Sequence, residues 1–351
     1  MNLRIAAALL LLPILMPACD RGESGPEPQR AERQKITVST LPFLSFGPLF
    51  IAQEEGYFAE QGLDVEFVDL RRTQFGIPAL IKGQLDVLAG GMTSGMLNSI
   101  ARGGEVRIVA DRCHVGQEGQ ECTWFGALAR SELVKDGAIK TDPEGLDVAT
   151  PLDVVHGMML HRLLPQLDLT LEDINIRFVQ YPALPEAMAT GSTDLVIVGE
   201  PWLTRIMDAS DATLLAAGED VVPAGQVGTI CFGPRLLRER RDLGKRFMIA
   251  NLKGVRQYNR GKTDRNLDIL SRRTGLDRKL LTRLCWPNLR GDGMLNVEAV
   301  HAFQQWAKDE NLLDRKLKTV EFWEPFFVRQ AHRVIGQTGQ GKGSQKEPEG
   351  N

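Results

Sequence analysis

Aromatic residues make up only 6% of the 351 residues, and cysteine and histidine occur five times each. The cysteines and histidines form no metal-binding spacing. There is no C-x-x-C, and His156 and His161, five apart, do not share a helix face. A G-x-S-x-G nucleophile elbow, a phosphate-binding glycine loop and a Cys–His pair in a supporting context are also missing. These gaps leave no catalytic residue to nominate and predict no metal and no cofactor. The formal net charge is only −3, which predicts no strong attraction for nucleic acid or for an anionic membrane. After the N-terminal segment no apolar stretch is long enough to span a bilayer.

What is present begins with a targeting segment. Arg4 supplies a positive start, and Ile5 to Met16 is a short apolar core that reads as a signal peptide. In "LMPACD" the small Ala18 directly precedes Cys19, which resembles the lipobox of bacterial lipoproteins, although Met16 stands where Leu is usual. The resemblance implies cleavage before Cys19 and its lipidation, with Asp20 favouring retention at the inner membrane; the alternative is plain secretion. A single acyl chain binds membranes marginally, so firm anchoring implies a multiply acylated cysteine. Arg21 to Gln34 is polar and rich in Gly, Pro and Glu, as expected of a disordered tether, and the C-terminal "GQTGQGKGSQKEPEGN" is a tail of the same kind.

With Cys19 set aside, Cys113, Cys122, Cys231 and Cys285 remain, an even number in an exported chain. Cys113 and Cys122 flank the glycine-containing "HVGQEGQE". A Cys113–Cys122 bridge is therefore expected, with Cys231–Cys285 by subtraction.

Strand-like and helix-like segments alternate, which places the chain in the α/β class. Ile36–Thr40, Val65–Val68 and "LDVLAG" read as strands, with helices over Gly47–Glu55 and Gln74–Lys82 between them. A second copy follows. Its strands are "LDVAT", "INIRFVQ" and "DLVIV", and its helices are Asp153–Leu164 and Leu184–Thr190. The copies align when Gly83 is set on Gly191 and Asp86 on Asp194. "TWFGALAR" and "GTICFG" fit two strands that cross between the copies, and Pro234 to about Ala331 is helical.

The segments "PLFIAQEEGYFAEQGLDVEFVD", "ALIKGQLDVLAGG", "ARGGEVRIVAD" and "GEPW", in this order, resemble the periplasmic solute-binding proteins of the nitrate, sulfonate, taurine and thiamine-pyrimidine-precursor family. The resemblance covers nearly the whole mature chain. It implies a type II-like two-lobed α/β fold that closes on a small ligand, with the two crossing strands as its hinge. It also implies a monomer that delivers its ligand to an ABC permease and ATPase. The organisation expected is a signal peptide over 1–18 and a lipidated tether over 19–34. A first lobe then covers 35–127, a second 128–227 and a helical return 228–332, with a disordered tail over 333–351.

Ligands of open α/β sheets bind beyond the carboxyl ends of the strands, where loops enter helix N-termini. Four such junctions exist. They carry Phe43, Ser45 and Phe46; Thr93 and Ser94; Asp153; and Glu200 and Trp202. Unpaired backbone N–H groups at these helix starts form a donor-rich cup. Phe43 and Phe46 either face the gap or pack the core. Ser94, Thr93 and Asp153 are also ordinary N-caps. Trp202 offers a flat face for stacking, and Trp124 on a crossing strand is placed with it; Trp286 and Trp306 read as core. Asp153 and Glu200 lack an obvious matching arginine. That balance points to a planar amino-heterocycle such as a pyrimidine thiamine precursor over nitrate or a sulfonate, and Arg112 would reverse it by turning inwards. "DRKLLTRL" and "RLLRERRD" read as solvated basic faces. A ligand-sensing receptor subunit is a second reading. An enzyme of the pyrimidine-precursor-synthase type is a third, opposed by the export signal and the lack of a Cys cluster.

Overall fold

The computed structural model describes residues 32–69, 76–116, 121–135, 138–139, 145–287 and 289–340. The signal peptide, Cys19, nearly all of the tether and the end of the tail lie outside the described residues.

The first run of elements is β1 (Gln34–Thr40), α1 (Gly47–Glu54), α2 (Tyr57–Glu60), β2 (Leu63–Asp69), α3 (Gly76–Ile81), β3 (Val87–Gly91), α4 (Ser94–Ala101) and β4 (Arg107–His114). The chain then crosses into a second run. It comprises β5 (Phe125–Arg130), the short β6 (Val134–Lys135) and β7 (Ala138–Ile139), β8 (Leu146–Ala149), α5 (Val155–Leu163), β9 (Ile174–Arg177), α6 (Leu184–Thr190), β10 (Leu195–Gly199), α7 (Trp202–Ala209), β11 (Ala212–Ala217) and α8 (Gly218–Val221). It returns through β12 (Gln226–Phe232) to α9 (Arg241–Tyr258), α10 (Asp264–Thr274), α11 (Arg278–Arg283), α12 (Val297–Asp309), α13 (Thr319–Phe322) and α14 (Phe326–Gln340).

Two five-stranded sheets form the two lobes. Their orders are β2-β1-β3-β12-β4 and β9-β8-β10-β5-β11, read from corresponding edges. In each, the fourth strand is antiparallel to its neighbours and is the one nearest the crossing. Strand β12 thus completes the first lobe although it follows the whole second lobe in sequence. The buried strands read as continuous apolar runs because helices cover both faces.

The duplication extends to single hydrogen bonds. Gly83 and Gly191 end their helices at φ 67° and 73°, a left-handed turn that glycine adopts without steric cost. Three residues later, Asp86 accepts from the Thr37 N–H at 2.8 Å, and Asp194 accepts from the Asp147 N–H at 2.9 Å. Thr37 and Asp147 occupy matching strands, β1 and β8. Each aspartate also meets an arginine, Arg235 and Arg130 respectively. The carboxylate therefore ties the strand to its neighbour at the end remote from the strand-to-helix junctions.

The helical return covers the first lobe. Helix α9 buries Leu243, Phe247, Met248 and Val255 against it. Much of the basic "RLLRERRD" is consumed internally: Arg235 meets Asp86, Arg238 meets Glu105, and Arg241 reaches Glu324. Trp286 and Trp306 pack against the core while half-buried. Helix α14 runs to Gln340, so ordered structure continues past residue 333, where the tail was expected to begin.

The expected cysteine pairing is overturned. Cys122 is bridged to Cys285, 163 residues apart with Cα atoms 5.9 Å from each other, and Cys113 and Cys231 are free and buried. The free pair lies inside the first sheet, on β4 and β12, each 1% exposed. Cys122 has left that sheet and stands before β5, where the segment after α11 comes alongside. Proximity in sequence put Cys113 near Cys122, but the strand end separates them.

Candidate functional site

Strand-to-helix junctions of the two lobes meet in pairs, the first with the fourth through Tyr181 and the second with the third. After β1 the chain makes a 3-10 turn over Leu44–Phe46, which buries Ser45 and Phe46 and leaves Phe43 half-exposed at the lobe surface. Phe43 reaches across to the second lobe. Its ring meets Tyr181 edge-on, with centroids 5.8 Å apart, and Tyr181 in turn stacks on Trp202 at 6.2 Å. After β3, the Thr93 hydroxyl caps α4 by accepting the Met96 N–H at 3.0 Å. The next N–H, of Ser94, has no acceptor in its own lobe and donates to the Asp153 carbonyl at 2.9 Å. The second and third junctions are therefore bonded to one another.

Arg112 lies across the junction end of the first sheet, 7% exposed. Its Nη1 donates to Ser45 Oγ at 2.6 Å and its Nε to the Gly90 carbonyl at 3.2 Å, and the guanidinium stands 4.1 Å from the Phe46 ring centroid. Gly228 on β12 makes this path possible, because a Cβ there would collide with the guanidinium. Among the described residues no carboxylate lies within ion-pair distance of Arg112. The neighbouring Asp111 instead accepts from Gln226 Nε2 at 2.7 Å, the Arg290 N–H at 3.0 Å and His114 Nδ1. A buried cation held only by neutral acceptors retains a strong preference for an anion. The cavity behind it, bounded by Ser45, Asp111, Arg112 and Asn251, measures about 10 Å³, room for roughly one water.

Glu200 contributes less to the gap than the sequence implied. Glu200 is buried, and its carboxylate takes the Thr204 hydroxyl at 2.6 Å and the Thr204 N–H at 3.1 Å. Burial raises its pKa, while those bonds and one from the Cys285 N–H pull the other way. It serves α7 as an internal cap. Asp153 presents its backbone carbonyl to Ser94. Trp124 is buried, and its indole N–H is already given to the His114 carbonyl at 3.1 Å. Two buried polar groups at the second lobe's junctions have no partner: the Thr150 hydroxyl just after β8, and the indole N–H of Trp202. Leaving either unsatisfied costs roughly 1–3 kcal/mol.

The structure thus joins Phe43 to Trp202 through Tyr181 and Ser94 to the Asp153 carbonyl, places Ser45 against Arg112, and settles the alternative for Phe46 by packing it in the core at 1% exposure. It assigns Thr93 to helix capping and occupies the polar atoms of Glu200 and Trp124. Sequence reasoning passed over Tyr181 and Thr150. Tyr181 stands in "QYPALP", an aromatic beside a proline just before a helix, which was a usable signal; Thr150 carried none. Among the described residues no group of three or more His, Cys, Asp or Glu side chains is placed to hold a metal ion.

Comparison with known proteins agrees with this architecture. The NMT1-like family matches residues 29–220. The bicarbonate transport ATP-binding protein CmpC of Synechocystis is 30% identical over 196 residues, which are 50% of this chain and 27% of that protein; the chain spans about a quarter of the length of the curated relatives it matches. Among solved structures, the ligand-binding component of an ABC-type import system from Staphylococcus aureus superposes with a TM-score of 0.71 at 17% identity, covering 85% of this chain and 99% of that one. The periplasmic nitrate-binding protein NrtA of Synechocystis does so at 0.69 and 14%, covering 89% and 92%. The desulfurization enzyme DSZB shares the fold at 0.62 and 16%, covering 86% and 100%.

Proposed function

The chain belongs to the NMT1-like family, and from that premise we propose that it is the extracytoplasmic solute-binding component of an ABC importer. It holds a small oxyanion-bearing solute between its lobes and delivers it to a permease and ATPase. The observation that carries this reading is Arg112, a buried guanidinium at the junction end of the first sheet with no carboxylate within ion-pair distance among the described residues. The unpartnered Thr150 hydroxyl and Trp202 indole add neutral donors from the opposite lobe. Glu200, which spoke for an amino-heterocycle, is engaged by Thr204. Nitrate, bicarbonate and small sulfonates are therefore favoured over a pyrimidine thiamine precursor. A polyatomic ligand does not fit the water-sized cavity beside Arg112, whose lining belongs to the first lobe, so a solute reaches the guanidinium only if these side chains shift as the lobes part by a hinge at the crossing strands. The chain acts as a monomer attached to the inner membrane through lipid on Cys19.

A thermal-unfolding screen of nitrate, bicarbonate, alkanesulfonates and pyrimidines tests this. A true ligand at a hundred times its Kd adds about 2.7 kcal/mol to stability. Stabilisation by an oxyanion that disappears in Arg112→Met supports the reading. Stabilisation by a pyrimidine alone, or by an oxyanion equally in both proteins, refutes it. An enzymatic role on this fold finds little support in the thiols: burial pushes Cys113 up to about 11 and Cys231 to about 12, so neither is a thiolate at neutral pH.

A further inference from the structure

The net charge of −3 conceals a strong internal asymmetry. Residues 235–290 hold 17 Lys and Arg against 5 Asp and Glu, a local excess of +12. Most of these cations are spent on the fold. Lys253 meets Glu60, Arg265 meets Glu55, Arg272 and Arg273 meet Glu54, and Arg278 meets Asp264. A subset is not. Lys245 and Arg256 lie on the outer face of α9, one at each end of the half-exposed Ile249, and Arg260 follows just past its end. Helix α14 packs beside α9, with Phe327 against Gly244, and carries exposed Arg329 and Arg333. Among the described residues none of these five has a carboxylate within ion-pair distance.

The place of this face in the fold gives it a direction. Strand β1 begins at Gln34, whose side chain accepts from Arg240, the residue immediately before α9. The polar segment between Cys19 and β1 therefore joins the folded body at the first turn of the basic helix. On the tether reading of this segment, its length gives an average span of roughly 20 Å, less than the ~27 Å length of α9 itself. A lipid on Cys19 would keep this end of α9 near the bilayer surface.

We propose that the outer face of α9 and α14 is a membrane-docking surface for anionic phospholipid headgroups, which lays the first lobe against the bilayer beside its anchor. The proposal rests on the lipid-anchor reading for its orientation, but the surface itself is independent of the lipid. Each cation near an anionic leaflet strengthens binding by about fivefold, and the effect fades within a Debye length.

The full chain carrying Cys19→Ser, mixed with phosphatidylcholine vesicles with or without phosphatidylglycerol, tests the surface without the lipid. Co-sedimentation with the phosphatidylglycerol vesicles only, lost at high salt, is expected. The variant K245Q/R256Q/R329Q/R333Q should weaken it at least a hundredfold, while Lys279→Gln on α11 leaves it unchanged. Thermal unfolding of both variants checks that they are folded. Equal binding to both vesicle types, no binding to either, or a folded quadruple variant that binds like its parent would overturn the proposal. Impaired uptake by that variant without any vesicle binding would do so too, by pointing to an acidic protein surface. Failure of the anchor is read separately, as release of the chain with Cys19 intact from cell membranes.

Discussion

The backbone N–H of Ser94, in the first lobe, donates to the carbonyl of Asp153, in the second, at 2.9 Å. Both atoms belong to strand-to-helix junctions, where backbone groups have no partner within their own helix. The second lobe thereby satisfies an orphan donor of the first, and both groups are released when the lobes part. The contact is weak enough to be exchanged for a ligand, since a net hydrogen bond contributes only about 1 kcal/mol.

The aromatic bridge beside it should tune closure. Tyr181→Ala removes the ring that joins Phe43 to Trp202. Loss of such a pair costs about 0.5–1.5 kcal/mol, so affinity for the solute should fall roughly 2- to 12-fold, mainly through faster release. Stopped-flow dissociation on the wild type and the variant measures this; an unchanged off-rate would place the bridge outside the closing interface.

Trp202→Phe separates a ligand contact from a packing role. The indole N–H is buried without a partner, so its removal should leave the ligand-free melting temperature unchanged or slightly raised. If that N–H meets the solute, affinity should drop about tenfold by calorimetry. A lower melting temperature with unchanged affinity would mean the ring only packs.

The thiols have a definite expected pattern. In the native chain, Cys113 and Cys231 should resist alkylation at neutral pH, because both are 1% exposed and burial raises them to about 11 and 12. Denaturation without reductant should expose these two, and peptide mapping should find Cys122 joined to Cys285. Closing a loop of 163 residues stabilises by up to about 5 kcal/mol in the chain-entropy account, so Cys122→Ser should lower the denaturation midpoint strongly.

His156 should make the fold acid-sensitive. It stands in the first turn of α5, with Nδ1 buried and unpartnered and its ring edge-on to Phe125 at 4.8 Å. Burial disfavours the charged form and lowers its pKa to about 4 from 6.5. Between these values the unfolded chain binds the extra proton and the folded chain does not, so stability falls as pH drops from 6.5 towards 4. The loss between pH 7 and pH 5 should reach at most about 2 kcal/mol. Urea denaturation at the two pH values should show it in the wild type and a smaller change in His156→Gln.

The amino-acid order alone determined what is local. Apolar spacing marked the strands, Gly83 and Gly191 marked the ends of their helices, and Asp86 and Asp194 marked the repeat, because helix caps and strand ends are set by hydrogen bonds within a few residues. The same reasoning located all four junctions. What tertiary structure alone decided involves partners far apart in sequence. The bridge from Cys122 to Cys285, the path of Arg112 over Gly228 to Ser45 and the meeting of Phe43 with Tyr181 depend on how two sheets and a returning strand come to rest together. Side-chain type states which bonds a residue can make; only the packed chain selects among the acceptors in reach, and that selection decides whether a charge is left for a ligand.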